Sequence, residues 1–298
     1  MKRIITSMIA LLSVGLPSTA MAGPWVKEAG DIYVKAAAST FSSDTAYDVD
    51  GDQVDPGFTY SNRSYTLYGE AGLGKRLALT FNLPLLFSVN ELSERVRVRN
   101  NGLGDLDLGL QAAIWRRGAC PVSGKLTGRV PLYSGVVSDG STPGAQGLEP
   151  AEDDPQGLAV RFAPALGDGS IDITPTLQAG CSLYPIPAWV SVEAGPQFRL
   201  RGFGNGWIWA TDAGIFVWPD RVALTARASG QHRFSSDNPR PTKSFVALGG
   251  GAIVRLPANL ALEANVSYVP GGAFVAPGWT FGAGVSFNGS ILPSQYRD

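Results

Sequence analysis

GKRLALTFN (residues 74–82), PDRVALTAR (219–227) and PANLALEAN (257–265) are three versions of one phrase. Each opens on a tight polar turn and continues with apolar and small or polar residues in strict alternation. Successive Cβ atoms of an extended chain point to opposite sides, so alternation assigns one residue set to each face of a β-strand. Three turns this short, far apart in the chain, place strand reversals on a common edge with almost no loop. The phrase predicts a closed antiparallel sheet with a short-turn rim. What remains is to decide which medium each face meets.

Alternation recurs along the chain, over residues 30–41, 63–73, 77–88, 104–116, 122–133, 170–183, 188–200, 207–218, 221–234, 243–255, 259–269 and 278–287. Each segment is near the roughly 9–11 residues that cross a bilayer at a tilt. A soluble sandwich also alternates, so connection lengths carry the decision. Short connections at 74–76, 116–121, 185–188, 219–220 and 257–258 take turns with long ones at 42–62, 89–103, 134–169, 201–206, 235–242 and 270–277. Short turns on one rim and long loops on the other mark transmembrane β-barrels with an even strand count. The expected fold is an all-β, up-and-down antiparallel barrel of about twelve strands. A strand of its own for Gly157–Leu166 would lead towards fourteen. Twelve is preferred, because that segment counted alone breaks the parity.

Composition points the same way. Charged residues are 16% of the chain and apolar residues 44%, whereas a soluble surface usually requires about 25% charged residues. Lys2 and Arg3, the apolar stretch Ile4–Leu16 and Ala20-Met21-Ala22 read as an export signal cleaved before Gly23. Residues 1–22 are thus the expected signal peptide and 23–298 the barrel domain, exported to the outer membrane of a Gram-negative cell. No Cys follows the cleavage site to take a lipid anchor. Only residues 23–29 precede the first strand, too few for an N-terminal plug. The mature chain carries 22 basic and 25 acidic residues, which offers nothing to nucleic acid.

Aromatic residues gather in two bands. Trp25, Trp115, Tyr184, Trp189, Trp218 and Phe287 lie near short-turn ends; Tyr60, Tyr65, Phe87, Tyr133, Trp207, Phe234, Tyr268 and Trp279 lie near long-loop ends. Rings with polar edges favour the headgroup zones of a membrane. Cys120 and Cys181 fall at the short-turn ends of neighbouring antiparallel strands. In an oxidising compartment they are expected to form a disulfide.

On the polar face of the strands stand the pore-lining candidates Lys35, Glu70, Asp105, Asp107, Lys125, Arg129, Glu193, Arg199, Asp212, Arg227, Arg233 and Glu263, together with Asp31, Asp172 and Arg201. Ionisable groups in a membrane interior are costly unless paired or hydrated. The set holds eight acids and seven bases, so it can cross-link a narrow middle or line a conduit without strong ion preference. The acidic loop 134–169, with Glu149, Glu152, Asp153 and Asp154, is the candidate lid. Asp48, Asp50 and Asp52 are spaced like ligands for a hard cation such as calcium. Gly51 interrupts their pattern and Thr59 stands where a closing Glu belongs, so a solvated turn is the better reading. His232 is the single histidine. Ser229 and Ser235 lie three residues away and face the opposite side, so no catalytic pair is legible, and no motif calls for a cofactor.

GLGDLDLGL (102–110), the loop DVDGDQVD (48–55), LYGEAGLGKRLALTFNLPL (67–85) and GDGSIDITPTLQAG (167–180) resemble a family of bacterial outer-membrane proteins labelled for the meta-pathway of phenol degradation. The likeness spans essentially the whole chain after the signal, through short structural motifs. It implies an outer-membrane barrel that transports small, often hydrophobic compounds, and carries over no catalytic residue. The expected partners are outer-membrane lipid, a small solute, and the chaperone and assembly machinery that inserts barrels. One departure is the tail Asn288–Asp298, which leaves the terminal aromatic, Phe287, inside the sequence. The expected activity is passive passage or binding of a small solute; the competing reading is a sealed structural or surface-interaction barrel.

Overall fold

A computed structural model describes residues 23–93, 96–133, 163–234 and 243–291. No helix occurs among the described residues. Fifteen strands occur among the described residues: β1 (Asp31–Ser43), β2 (Ala46–Tyr47), β3 (Gln53–Val54), β4 (Thr59–Gly72), β5 (Leu77–Ser93), β6 (Val96–Leu103), β7 (Asp105–Trp115), β8 (Val122–Pro131), β9 (Asp172–Ser182), β10 (Ala188–Arg199), β11 (Gly206–Trp218), β12 (Val222–Arg233), β13 (Ser244–Arg255), β14 (Leu260–Ala273) and β15 (Gly278–Ser290). Strands β6 and β7 are one wall strand broken at Gly104. β6 pairs with the upper half of β5 and β7 with the lower half. A Cβ at Gly104 would stand 3.2 Å from the Leu166 carbonyl oxygen and 3.1 Å from the Leu86 and Pro84 side chains. Glycine here lets another part of the chain press against the wall.

Every neighbouring pair is antiparallel, and β1 closes the sheet on β15, from Asp31↔Ser290 to Ser42↔Trp279. The result is a closed barrel of 12 strands. The repeated phrase forms its short-turn rim. At the third copy Ala258 and Asn259 both take left-handed φ, 61° and 62°, the conformation that lets two residues reverse a strand pair.

The faces are inverted relative to a soluble protein. Leu79, Leu85, Leu108, Leu110, Leu126, Leu177, Val192 and Leu262 are exposed on the outer wall, while Thr80, Ser88, Gln111, Ser123, Thr176 and Gln178 are buried on the inner wall. Closure satisfies the backbone of every wall strand inside the sheet, which is what allows such a surface to meet hydrocarbon.

Tyr65, Phe87, Trp207, Phe234 and Trp279 are exposed at the long-loop end, and Trp115, Tyr184 and Trp218 at the other. Three members of the expected bands turn inward. Tyr60 is buried, Tyr133 donates to Asp105 Oδ1 at 2.8 Å, and Trp189 lies over Gly214 on the inner face. Strand parity decides Tyr60 and Trp189, because the even residues of β4 and the odd residues of β10 face the lumen; Tyr133 lies beyond the end of β8.

Cys120 and Cys181 are joined in a disulfide at the short-turn rim. Backbone bonds from Gly180 N to Pro121 O (3.2 Å) and from Ser182 N to Ala119 O (2.9 Å) align the same two segments.

Candidate functional site

The lumen is built from three layers. At the short-turn end, residues 23–28 turn into the barrel although they are too few to form a domain. Val26 packs with Ala78 and Ala113 on the inner wall. Pro24 is fully buried, and the Gly23 carbonyl accepts from Gln111 Nε2 at 2.8 Å. The segment is too short for a plug of the kind considered above, yet these contacts hold it inside this end of the barrel. Its sequence signal is Gly72. A Cβ there would lie 1.7 Å from the Glu28 carbonyl oxygen, so only glycine admits the crossing.

At the long-loop end, residues 163–171 fold inward. Ala163, Pro164, Ala165 and Leu166 are buried, and the Pro164 carbonyl accepts from Asn100 Nδ2 at 2.8 Å. They add no wall strand. Residues 157–162, the rest of the segment that could have raised the count to fourteen, lie outside the described residues. So do residues 134–162 of the candidate lid as a whole, including Glu149, Glu152, Asp153 and Asp154.

The inturned segment is tied by charge. Arg199 bonds Asp172 Oδ1 at 3.2 Å and Ser170 Oγ at 2.7 Å, and also contacts Asp168. Gly169 N donates to the Tyr133 hydroxyl at 2.9 Å, and Arg201 reaches the Gly169 carbonyl at 3.2 Å. Burial pushes the Asp168 carboxyl up, but Arg199, Lys243, the Ser170 hydroxyl and Arg129 outweigh it and hold the group well below the usual carboxylate range. Burial pushes the Lys243 ammonium down from its ordinary value.

The long-loop end also holds two packed apolar clusters. Phe41, Ala46, Phe58, Tyr60 and Ala276 form one, and Tyr47, Ala247, Val269 and Val275 the other, all buried. The hairpin β2–β3 is held down by the bridge between Tyr47 and Val275 and by Tyr47 Oη donating to the Pro270 carbonyl at 2.7 Å.

Between the ends lies a cavity of about 440 Å³. Most of its charged lining forms pairs. Lys35 meets Glu263 at 2.5 Å, with Tyr33 (3.0 Å) and Ser286 (2.7 Å) donating to the same carboxylate. Lys125 meets Glu193 at 3.4 Å, Arg129 meets Asp107 at 2.7 Å, and Arg227 meets Asp212 at 2.7 Å. Glu70 accepts from Tyr68 Oη at 2.7 Å. Against this polar wall stand Gly249, Gly250, Ala252 and Ala264, whose small size leaves the space open.

Of the expected charged residues, Glu70, Arg199, Arg201, Arg233 and Asp31 are not part of the cavity lining. Arg233 is at the external rim, donating to the Val49 carbonyl at 3.1 Å, and Asp31 is at the opposite end of its strand. Sequence reasoning gave no lumen role to Asp168, Tyr133 or Lys243, which lie just outside the observed strands, where alternation gives no facing.

Asp48 Oδ1 accepts the backbone N–H groups of Asp50 (2.9 Å) and Asp52 (3.0 Å). The carboxylate organises its own turn, and no group of three metal-binding side chains occurs among the described residues. His232 faces outward opposite Trp207, while Ser229 lines the cavity on the inner face.

This architecture is that of an outer-membrane β-barrel. The chain is similar to the COG4313 outer membrane channel from Pseudomonas putida F1, with a TM-score of 0.66 at 12% identity over 91% of this chain and 99% of that one. It is also similar to the NanC porin, with a TM-score of 0.50 at 6% identity over 85% of this chain and 98% of that one. No family model and no curated protein matches the sequence. At these identities the likeness is one of fold.

Proposed function

We propose that the protein, exported through cleavage after Ala22, is a passive outer-membrane channel for small solutes with an apolar or single-ring body. The observation that carries this reading is the layered lumen. A cavity of about 440 Å³, whose charges are largely paired, lies between two short chain segments that narrow the ends of the barrel. A cavity of this size holds one small molecule. Paired charges exert little net field, so they offer hydrogen bonds without strongly selecting an ion.

The contacts at both ends favour a second reading, a sealed barrel with no transport. Single-channel recording and solute-uptake assays in reconstituted vesicles separate the two. The channel reading expects small conductance from the full chain and a several-fold rise on deletion of residues 23–28 or 134–169. A folded barrel that neither conducts nor admits solute in any of the three forms overturns it.

A further inference from the structure

The outer wall carries a basic patch beside an aromatic cleft, and the geometry points to a docking site for a phosphorylated, acylated saccharide of the outer leaflet. The inference rests on the outer-membrane placement proposed above.

Strand register sets out the surface. One row across the outer wall reads Phe281, Thr40, Arg63, Phe87 and Asn101 on β15, β1, β4, β5 and β6. The next row towards the long-loop end reads Trp279, Ser42, Ser61, Val89 and Arg99 on the same strands. One further step pairs Glu91 with Arg97, in a salt bridge of 2.7 Å. That bridge uses the patch's own carboxylate and leaves Arg63 and Arg99, both exposed, with no acidic partner among the described residues.

An arginine on a lipid-facing wall is costly unless it lies at the interface and meets an anion there. Arg63 stands directly beside Phe87, which stacks edge-on to Tyr65 with ring centres 5.8 Å apart in the external aromatic band. The height is therefore that of the headgroups. The anion available there is phosphate, which guanidinium binds through paired N–H donors.

The neighbouring cleft fixes the rest of the ligand. It has a volume of about 550 Å³, and Tyr268, Trp279 and Phe281 form its aromatic wall, with ring centres 4.9 Å and 6.4 Å apart. Asp44, Ser42 and Gln53 also line it. A carboxylate, a hydroxyl and a carboxamide are partners for sugar hydroxyls, and the aromatic wall suits an acyl chain or the face of a sugar ring. Strands about 4.8 Å apart put Arg63 about 10 Å from Phe281, and Arg99 about 19 Å from Trp279 along the wall. A phosphorylated disaccharide with several chains spans that breadth, whereas a glycerophospholipid headgroup covers only part of it.

The test uses the full chain purified in mild detergent and native mass spectrometry. The probes are a bisphosphorylated acylated disaccharide, its dephosphorylated form, and phosphatidylglycerol. The expected result is one bound copy of the first probe. Retention falls at least tenfold for the other two probes and for Arg63→Ala/Arg99→Ala, and Arg63→Lys/Arg99→Lys restores part of it. Trp279→Ala weakens retention with the arginines intact. Equal retention by the double alanine variant, or equal binding of phosphatidylglycerol, overturns the site. Heat-modifiable migration reports the barrel separately, so failure of the membrane reading is distinguishable from failure of the site. If the double variant does not fold, Arg99→Gln alone carries the same comparison.

Discussion

Arg199 on β10 contacts Asp168 on the inturned external segment while also bonding Asp172 on the adjacent wall strand. The side chains of Arg199 and Asp172 are each 1% exposed. One guanidinium thus ties a loop to the wall in a place where an unpaired charge is expensive.

Arg199→Ala is expected to cost about 3–5 kcal/mol, the usual penalty for stranding buried partners of a removed charge. The segment 163–171 then loosens and single-channel conductance rises. Arg199→Lys restores charge but not the forked geometry and recovers only part of the closure. Urea midpoints and conductance of the two variants check this together.

Acid is expected to loosen the same segment. The Asp168 carboxyl is depressed in the folded state. Its contribution is therefore fully present above the unfolded value, near 3.9, and is lost as pH falls below it. The groups around it are Arg199, Arg129, Lys243, Asp105, Tyr133 and Ser170. Amide hydrogen exchange at residues 163–171, once corrected for intrinsic rates, should show protection falling as pH drops below about 4. In Asp168→Asn the step should be absent.

Gly72→Val is expected to displace residues 23–28 without deleting them, because the added Cβ meets the Glu28 carbonyl. Conductance should rise towards that of the deletion, and a protease offered from the short-turn side should cut the freed segment.

Cys120→Ser/Cys181→Ser should lower stability by about 2–4 kcal/mol, since the disulfide closes a loop of 61 residues' separation in the unfolded chain. Non-reducing mass mapping should recover the linked peptides from the parent. The denaturation midpoint of the variant reads the loss.

Leu177→Arg, on the outer face near the middle of β9, should cost about 2–4 kcal/mol of folding into vesicles. Thr225→Arg, on the cavity side, should carry no comparable penalty. Equal penalties at the two positions would contradict the assignment of faces.

Strand positions were legible because alternation is a local property. The segments 77–88 and 188–200, read from the pattern, correspond to β5 and β10, and the turn at 257–258 needed no tertiary information. Strand ends were less legible. β4 begins at Thr59 and β14 runs to Ala273, because strands here continue above the membrane, where no change in hydropathy marks the boundary. The acid–base partners were also hidden. Lys35 and Glu263 are 228 residues apart and meet only because β1 closes on β15 while β14 stands beside it.

The sequence by itself determined the wall: alternation set the faces, the repeated turn marked the short-turn rim, and the spacing of Cys120 and Cys181 placed both at that rim. Tertiary structure alone decided what occupies the lumen. Residues 23–28 and 163–171 have no period to read, and their inward course depends on Gly72, Gly104 and Arg199 meeting them across the barrel. Local patterns specify which way a strand's side chains face, whereas the path of a loop follows from contacts between residues far apart in the chain.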